Sequence, residues 1–302
     1  MRSARRRQST RMGITRVRLV RHGPRGAERP GLLDAQGILR DLSAHVTDLG
    51  GDVLLPDSLE RLRALNAASL PPVAGAPRIA PCVAGTGKFI CIGLNYSDHA
   101  AEAKMTVPPE PIVFMKATSA ICGPNDDIEM PRGGVKLDWE VELAVVIGKP
   151  AKYVTESHAL DHIAGYCVVN DVSERAFQME HHGQWTKGKS HDTFGPVGPW
   201  LVTADEITDP QHLAIWLSVN GRRYQDGTTA TMVYGVRHLI SYLSRFMTLH
   251  PGDIIATGTP AGVGLGQKPP LFLKAGDFVE LGIEGLGAQH QRVIAPHAGC
   301  AS

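Results

Sequence analysis

The segment that organises this chain, residues 137–149, is LDWEVELAVVIGK. Its second half is a β-branched apolar run closed by Gly148, which is typical of a buried strand. Side chains alternate along a strand, so Glu140 and Glu142 point to the same side, with Cα atoms about 6.6 Å apart. Two such carboxylates repel each other unless they share a proton, pair with cations or hold a metal. The pattern therefore predicts either part of a site for a hard cation such as Mg²⁺ or an edge strand whose acids face water.

The composition is that of an ordinary globular protein. The 302 residues suffice for one large or two modest domains, and 43% of them are hydrophobic. The low aromatic content of 6%, with 33 Gly and 21 Pro, favours many turns and short elements. A formal net charge of +1 gives no reason to expect a nucleic-acid or membrane partner, and no apolar run reaches the roughly 18 residues of a membrane span.

The cysteines and the first residues bear on the compartment. The five cysteines are scattered and form no Cys-x-x-Cys pair, so we expect a reducing compartment, the cytoplasm, and neither a disulfide framework nor a thiolate zinc site. Residues 1–16 are rich in Arg and contain no acid and no apolar core, which excludes a secretory signal. We predict a disordered tail there, although the composition is similar to that of a short transit peptide.

Two further segments are predicted. Residues 17–80 contain strand-like and helix-like pieces without a chemical constellation, so we expect a small N-terminal domain that is structural or covers part of a site. Pro71, Pro72 and Pro77 indicate a linker at its C-terminal end. Residues 81–297 form the main domain.

A histidine and a glutamate follow the predicted strand at residues 89–94. Ser97 or Asp98 can cap a short helix, and His99 and Glu102 then lie on one face of it. A carboxylate beside an imidazole orients the ring, which makes the pair a candidate general base for activating water. The alternative is an exposed pair of the kind that is common on helix surfaces.

Two more residues extend the candidate site. Asp171 ends a predicted strand, and a helical crossover from the first strand would bring it beside Glu142 as a third carboxylate. The alternative for Asp171 is a turn residue. Lys189 lies in a predicted loop where small neighbours let it approach an anionic substrate, unless it is simply solvated. His158 and His162 have zinc-like spacing but lack a third ligand, so a surface helix is expected.

The strand predicted at residue 254 enters a Gly-rich loop, Thr-Gly-Thr-Pro-Ala-Gly-Val-Gly at 257–264. The loop lacks the Gly-Lys-Ser/Thr of a phosphate loop, and no clear helix follows for dinucleotide binding. Its backbone amides and the hydroxyl of Thr259 can contact an oxyanion.

Five motifs together resemble the fumarylacetoacetate hydrolase family over residues 88–293. They are Gly-Leu-Asn-Tyr-Ser-Asp-His-Ala-Ala-Glu (93–102), Asp-Trp-Glu-Val-Glu-Leu-Ala-Val-Val-Ile-Gly (138–148), Asn-Asp-Val-Ser-Glu-Arg (170–175), Gly-Lys-Ser (188–190) and the 257–264 loop. The resemblance implies an α+β, mostly β fold, in which a mixed, bent β-roll follows a small N-terminal domain and the chain forms a homodimer.

The resemblance also implies roles for individual residues. The implied metal ligands, for Mg²⁺ or Mn²⁺ with Ca²⁺ as a further option, are Glu140, Glu142 and Asp171. The implied catalytic groups are His99 and Glu102, on a lid that orders over the substrate, and Lys189. The implied substrate-binding residues are Thr259, Arg175 and Gln178.

Within the family, the chain looks most like bacterial hydrolases of 2,4-diketo-3-deoxy sugar acids, whose relatives often carry the label ureidoglycolate lyase. We therefore expect a metal-dependent hydrolase whose substrates are small 2-oxo acids. It would cleave the C3–C4 bond of 2,4-dioxo acids and release pyruvate. Three alternatives remain open. They are an isomerase or decarboxylase acting on hydroxymuconate- or oxaloacetate-like substrates, a ureidoglycolate lyase that cleaves a C–N bond, and a non-catalytic interaction module.

Overall fold

The computed structural model describes residues 17–297. The predicted tail at 1–16 and Cys300 lie outside this range. The strands are β1 (Arg18–His22), β2 (Arg29–Leu33), β3 (Leu39–Asp41), β4 (Phe89–Gly93), β5 (Ile112–Lys116), β6 (Ile121–Cys122), β7 (Ile128–Glu129), β8 (Leu137–Asp138), β9 (Val141–Ile147), β10 (Ile163–Asn170), β11 (Ser173–Glu174), β12 (Gly195–Thr203), β13 (Ala214–Val219), β14 (Arg222–Thr228), β15 (Ile254–Ala256), β16 (Phe278–Ile283) and β17 (Gly287–Ile294).

The helices are few and short. The α-helices are α1 (Pro56–Arg63), α2 (Ser97–Glu102), α3 (Thr186–Lys189) and α4 (Val236–Leu243). Short 3₁₀-helices and one π-helix connect other elements: Gly51–Leu54, Ala67–Ser69, Thr118–Ala120, Glu156–His162, Ala204–Glu206, Thr229–Thr231, Gly264–Gly266 and the π-helix Ala176–Glu180. The short elements agree with the many Gly and Pro residues, and the mostly β fold class predicted from the sequence is confirmed.

The strands form two large mixed sheets. The ten-stranded sheet runs in the order β3-β2-β1-β12-β10-β9-β15-β4-β5, and β6 pairs beside β12. The five-stranded sheet runs in the order β14-β13-β16-β17-β7, and β8 pairs with β11 separately. Apolar side chains of both large sheets, such as Val145 and Leu281, share one core with α4, which buries one face of β9. Ala144 and Val146, on the other face of β9, lie in a second core, so every residue of the strand is buried.

The pairing of β9 with β10 differs from the prediction, which placed a helical crossover between the two strands. Strand β9 pairs antiparallel with β10, not parallel through a helical crossover, and only the 3₁₀-helix Glu156–His162 and short loops connect the two strands. Antiparallel neighbours need no crossover helix. Because the start of β9 lies beside the end of β10, Glu140 and Asp171 still meet, and the amide N of Asp171 donates to the carbonyl of Glu140 at 2.9 Å.

The N-terminal segment continues the main sheet. Strand β1 pairs with β12, and a second core places apolar residues of the first 80, such as Leu19 and Leu54, against Ala144 and Val169 of β9 and β10. The Arg78 guanidinium forms two hydrogen bonds to Asp126, at 2.6 and 2.7 Å, which also join the two parts. The segment and the main sheet thus pack into a common core. The domain boundary at residue 80 stays a prediction.

The described part of the chain bears on three other expectations. Its four cysteines are free and buried, and none of them forms a disulfide. No helix within residues 17–297 is long and apolar enough to cross a membrane. The two histidines with zinc-like spacing, His158 and His162, lie on a 3₁₀-helix at the surface, as predicted.

Candidate active site

Four connections meet at one end of the ten-stranded sheet. The antiparallel pairing of β9 with β10 and with β15 brings the start of β9 beside the ends of the other two strands. Strand β4 runs parallel to β15, so helix α2 begins at the same end. This topology gathers residues from four distant parts of the sequence into one place.

Three carboxylates converge at this end of the sheet. Ligand oxygens of Glu140, Glu142 and Asp171 all lie within 4.8 Å of one another, and each residue is at least nine-tenths buried. Glu140 lies just before β9, Glu142 within it, and Asp171 just after β10. The predicted edge strand with acids facing water is therefore excluded for these two glutamates.

Buried cations neutralise two of the three carboxylates. The Nζ atom of Lys189 donates to Oε2 of Glu140 and to Oδ2 of Asp171, both at 2.7 Å. The guanidinium of Arg175 donates to Oε1 of Glu140 at 2.5 Å and to Oδ2 of Asp138 at 2.8 Å. Lys189 lies at the end of the short helix α3, not in the predicted loop, and only 2% of its surface is exposed, so the solvated alternative is wrong.

The electrostatics separate Glu140 from Glu142. Burial disfavours the charged form of Glu140, but Arg175 and Lys189 outweigh it and hold the pKa of this carboxyl below its usual range. Burial, followed by the negative charges of Asp171 and Glu140, raises the pKa of Glu142 well above its ordinary value. The pKa values of these two neighbouring carboxyls are thus shifted in opposite directions, because only Glu140 forms ion pairs with cationic side chains.

This cluster fits a divalent cation. Oε2 of Glu142 accepts the amide N–H of Gly258 at 2.8 Å, and in residues 17–297 no basic side chain comes within ion-pair distance of Glu142. Each carboxylate oxygen has two lone pairs, so the oxygens that accept from Lys189 and Arg175 can still act as ligands. A buried carboxylate that lacks a cation, beside two others, is the donor set that Mg²⁺ or Mn²⁺ prefers.

Helix α2 carries the predicted His–Glu pair over this centre. Nδ1 of His99 lies 3.3 Å from Oε2 of Glu102, and both side chains are mostly shielded from solvent. The Glu102 carboxylate also accepts the amide N–H of Gly262, at 3.0 and 3.1 Å, which fixes the helix to the Gly-rich loop. Tyr96 occupies the N-cap position without a side-chain cap, so the predicted cap by Ser97 or Asp98 is wrong.

Thr259 lies at the same end, but protein groups already engage its hydroxyl. Its Oγ1 donates to the carbonyl of Val141 at 2.8 Å and accepts from Nε2 of Gln225 at 2.7 Å. The other end of the Gln225 amide accepts the N–H of Val141 at 3.0 Å. Gln225 therefore joins the Gly-rich loop to the residue between the two glutamates.

All of these groups surround one cavity of about 470 Å³. Eight of the predicted site residues line it: His99, Glu102, Glu140, Glu142, Arg175, Gln178, Lys189 and Thr259. Asp171 is fully buried next to the cavity. The volume falls in the range of about 300–1,000 Å³ that is usual for small-molecule sites. Glu140, Glu142 and, on α2, His99 therefore line the same cavity.

Sequence reasoning missed two buried polar groups of this site. Lys116 ends the apolar strand β5, and its ammonium forms an ion pair with Asp171 and donates to the carbonyl of Val172 at 3.0 Å. A lone charge at the end of an apolar strand was the available signal. Gln225 lies on a strand that carries no other sign of the site, so its position could not be inferred from local pattern.

Comparisons with known proteins identify relatives of this chain. A putative hydrolase of Burkholderia multivorans is 66% identical over 276 residues, which cover 91% of this chain and 98% of that protein. The structure of a fumarylacetoacetate hydrolase from the psychrophile Exiguobacterium antarcticum is 36% identical with a TM-score of 0.80, covering 92% of this chain and 99% of that one.

A third similarity concerns a structure with bound groups. The maleylpyruvate hydrolase of a Sphingobium species, in complex with manganese(II) ion and pyruvate, is 28% identical with a TM-score of 0.77. The match covers 93% of this chain and all of that one. The family model described as fumarylacetoacetate (FAA) hydrolase C-terminal matches residues 88–294, which include every predicted site residue. The chain therefore belongs to the fumarylacetoacetate hydrolase family of enzymes.

Proposed function

We propose that this protein is a metal-dependent hydrolase that cleaves the C3–C4 bond of 2,4-dioxo acids, either acylpyruvates or 2,4-diketo-3-deoxy sugar acids, to pyruvate and a second acid. One observation carries the proposal: a three-carboxylate centre, a His–Glu pair and a buried lysine line or adjoin the same cavity. A hydrolase that polarises a 2-oxo acid and activates water needs these three components together.

The residues have separate tasks in this proposal. Glu140, Glu142 and Asp171 would hold the metal, and a bound Mg²⁺ or Mn²⁺ supplies Lewis-acid stabilisation of negative charge on a substrate oxygen. The manganese ion and pyruvate named for the Sphingobium enzyme support the same ligand chemistry here. Lys189 places a fixed positive charge where negative charge develops. Arg175 and Gln178, which are hydrogen-bonded to each other at 3.0 Å, orient the substrate. Thr259, whose hydroxyl is bonded to Val141 and Gln225, contributes to the cavity wall beside the substrate.

The His–Glu pair performs the proton transfer. Glu102 orients His99 through Nδ1, which leaves Nε2 to take a proton from water. The hydroxide adds to the 4-oxo carbon, the C3–C4 bond breaks, and its electron pair leaves with the pyruvate fragment as an enolate. The proton that His99 took from water is then transferred to C3 of the enolate, which gives pyruvate, and the other fragment leaves as a carboxylic acid. Closure of α2 over the cavity would keep bulk water out.

Product analysis tests the reaction. Purified protein is incubated with a panel of acylpyruvates and 2,4-diketo-3-deoxy acids, with Mg²⁺ and with chelator, and pyruvate is measured with lactate dehydrogenase. Metal-dependent pyruvate with an equal amount of the second acid supports hydrolysis. Carbon dioxide from oxaloacetate, a double-bond shift in a hydroxymuconate-like acid, or glyoxylate and urea from ureidoglycolate, without pyruvate from the panel, would instead support the decarboxylase, isomerase or lyase.

The resemblance that predicted the site also leads us to propose a homodimer, and the scattered cysteines lead us to propose a reducing compartment, the cytoplasm. Size-exclusion chromatography with light scattering distinguishes a dimer from the 32.5 kDa monomer.

A further inference from the structure

The cavity lining contains two chemically different groups of side chains, which we call the charged end and the apolar end. The charged end consists of the carboxylates and their cations, described above. The apolar end consists of side chains from four separate segments of the chain: Met105, Phe114, Met179, Trp185, Leu265 and Pro270. A pyruvate unit uses the charged end only, so the apolar end must contact whatever part of the substrate lies beyond the 4-oxo carbon.

Phe114 connects the two ends. Its ring centre lies 5.1 Å from Nζ of Lys189 and 5.2 Å from the ring centre of Trp185, with the two rings inclined at 66°. This edge-to-face pair is a favourable geometry for aromatic side chains. The apolar surface therefore begins directly beside the reacting centre, where the first carbons of a substrate tail would lie.

The Trp185 ring packs into the space left by the missing side chain of Gly93. A Cβ atom on Gly93 would lie 2.5 Å from the Trp185 ring, so only glycine lets the indole pack against the end of β4. The indole is thereby held against the cavity and not directed into solvent. An ordered aromatic wall binds an apolar group without first losing side-chain entropy.

The apolar end offers few partners to polar tails. Nε2 of Gln267 already donates to the carbonyl of Val263 at 3.2 Å. Lys268 is exposed, and the described residues contain no ion pair to it. A solvated lysine attracts a distal carboxylate only weakly. Hydroxyl groups of a sugar-acid tail would lose their hydrogen bonds to water here and find little in exchange.

We propose that the natural substrate carries an apolar hydrocarbon tail, an alkyl, alkenyl or aryl group, on the 4-oxo carbon. This inference rests on the proposed function, and it selects acylpyruvates over 2,4-diketo-3-deoxy sugar acids. Phe114 and Trp185 are the specificity-determining residues, with the methionines Met105 and Met179 adapting to tails of different length.

A matched substrate series tests the inference on the unmodified protein. Acetyl-, butanoyl- and hexanoylpyruvate differ only in methylene count, and a hydroxylated and an ω-carboxylated tail of the hexanoyl length serve as comparisons. We expect kcat/KM to rise by about fourfold for each methylene that enters the apolar end. The hydroxylated and carboxylated tails should each be poorer than hexanoyl by at least about tenfold.

Variants then assign the effect to the aromatic wall. Trp185→Ala should flatten the methylene dependence, so that hexanoylpyruvate loses a larger fraction of its kcat/KM than acetylpyruvate does, because the longer tail buries more apolar surface against the indole. Phe246→Ala is the control, since Phe246 is 59% exposed and lies outside the cavity. The series on the unmodified protein remains decisive if Trp185→Ala does not fold.

The outcomes separate the two proposals. Pyruvate from all tails with no methylene dependence, or a preference for the hydroxylated or carboxylated tail, would overturn the apolar-tail inference and leave the hydrolase intact. No pyruvate from the series, with pyruvate from a 2,4-diketo-3-deoxy sugar acid, would overturn the apolar-tail inference alone. No pyruvate from either the series or the sugar acids, in protein that binds metal, would overturn both. A methylene dependence that Trp185→Ala removes and Phe246→Ala retains would support the inference.

Discussion

The ammonium nitrogen of Lys189 lies 2.7 Å from Oε2 of Glu140, and both side chains are more than nine-tenths buried. Burial disfavours the charged form of the lysine, but the carboxylates of Asp171 and Glu140 outweigh it and raise the pKa of Lys189 above its ordinary value. The lysine is therefore a permanent positive charge, held by two of the carboxylates that we propose as metal ligands.

Replacing this charge should impair both activity and stability. We expect Lys189→Met to lower kcat by about 10²–10³, the usual cost of removing an electrostatic contact to a developing anion. The free energy of unfolding should fall by about 2–4 kcal/mol, because buried carboxylate oxygens lose a partner. Steady-state kinetics and urea unfolding measure the two effects. Lys187→Met, at an exposed position of the same helix, is the control, and an unchanged kcat in Lys189→Met would refute the assigned role.

Removal of the metal should abolish turnover reversibly. We expect chelator to stop pyruvate release and added Mg²⁺ or Mn²⁺ to restore it, because the enolate loses its Lewis acid. Glu142→Ala should weaken metal binding, measured by isothermal titration calorimetry, by at least about tenfold through loss of one charged ligand. Glu156→Ala, an exposed acid far from the site, should bind metal normally. Equal metal affinity in both variants would exclude Glu142 as a ligand.

Gly266 should affect kcat because it leaves room for the carboxylate of Glu102. A Cβ atom at Gly266 would lie 2.3 Å from Cδ of Glu102, so Gly266→Ala must move this carboxylate away from His99. We expect kcat to fall by about tenfold to a hundredfold, the range for a displaced catalytic group, with little change in melting temperature because a carboxylate end is flexible.

A double-mutant cycle separates this effect from general damage. In the Glu102→Ala background the clash is absent, so Gly266→Ala should reduce kcat no further. Additive losses in the cycle would show that Gly266 acts independently of Glu102.

The buried amide of Gln225 should be a positioning group. Gln225→Leu removes the hydrogen bonds to Val141 and Thr259 and leaves a buried N–H without an acceptor. We expect the free energy of unfolding to fall by about 2–3 kcal/mol, and kcat/KM to fall as the strand between the two glutamates loosens. Asp226→Asn, exposed on the same strand, is the matched control for urea unfolding and kinetics. Wild-type stability in Gln225→Leu would contradict the expected role.

The Arg78–Asp126 contact should make stability depend on pH in the acid range. Burial raises the pKa of Asp126, but the hydrogen bonds from Arg78 and Gly123 outweigh it, so the folded-state pKa lies below the ordinary value of 3.8. The unfolded chain then binds more protons, and the contribution is complete above the unfolded pKa and lost as the pH falls through the folded pKa.

We therefore expect Asp126→Asn to lower the free energy of unfolding by about 1–3 kcal/mol at neutral pH. The gap from the unmodified protein should shrink as the pH falls below 3.8, as measured by urea unfolding at a series of pH values. Asp57→Asn, on the exposed first turn of α1, should show no such dependence. A gap that stays constant down to the acid-unfolded state would disagree with the depressed pKa.

Much of the candidate site was visible in the sequence because its signals are local. The alternation of β9 indicated the shared side of Glu140 and Glu142, and helical spacing indicated the pair of His99 and Glu102. The order of the five motifs identified the family, which the comparisons confirm. Strand positions were largely predictable for the same reason, since period-2 patterns and turn residues act over a few neighbours.

The tertiary structure decided what brings these signals together. Whether Glu142 would face water or a buried site depended on the antiparallel pairing of β9 with β10, which local pattern does not specify. The contact of Gln225 with Val141 spans 84 residues, and that of Lys116 with Asp171 spans 55. Sequence by itself determined which residue types and local elements were available, because periodicity is a property of the chain. Only the packing of the two sheets decided which side chains meet. A buried charge is costly unless it is paired, and its partners here come from distant parts of the sequence.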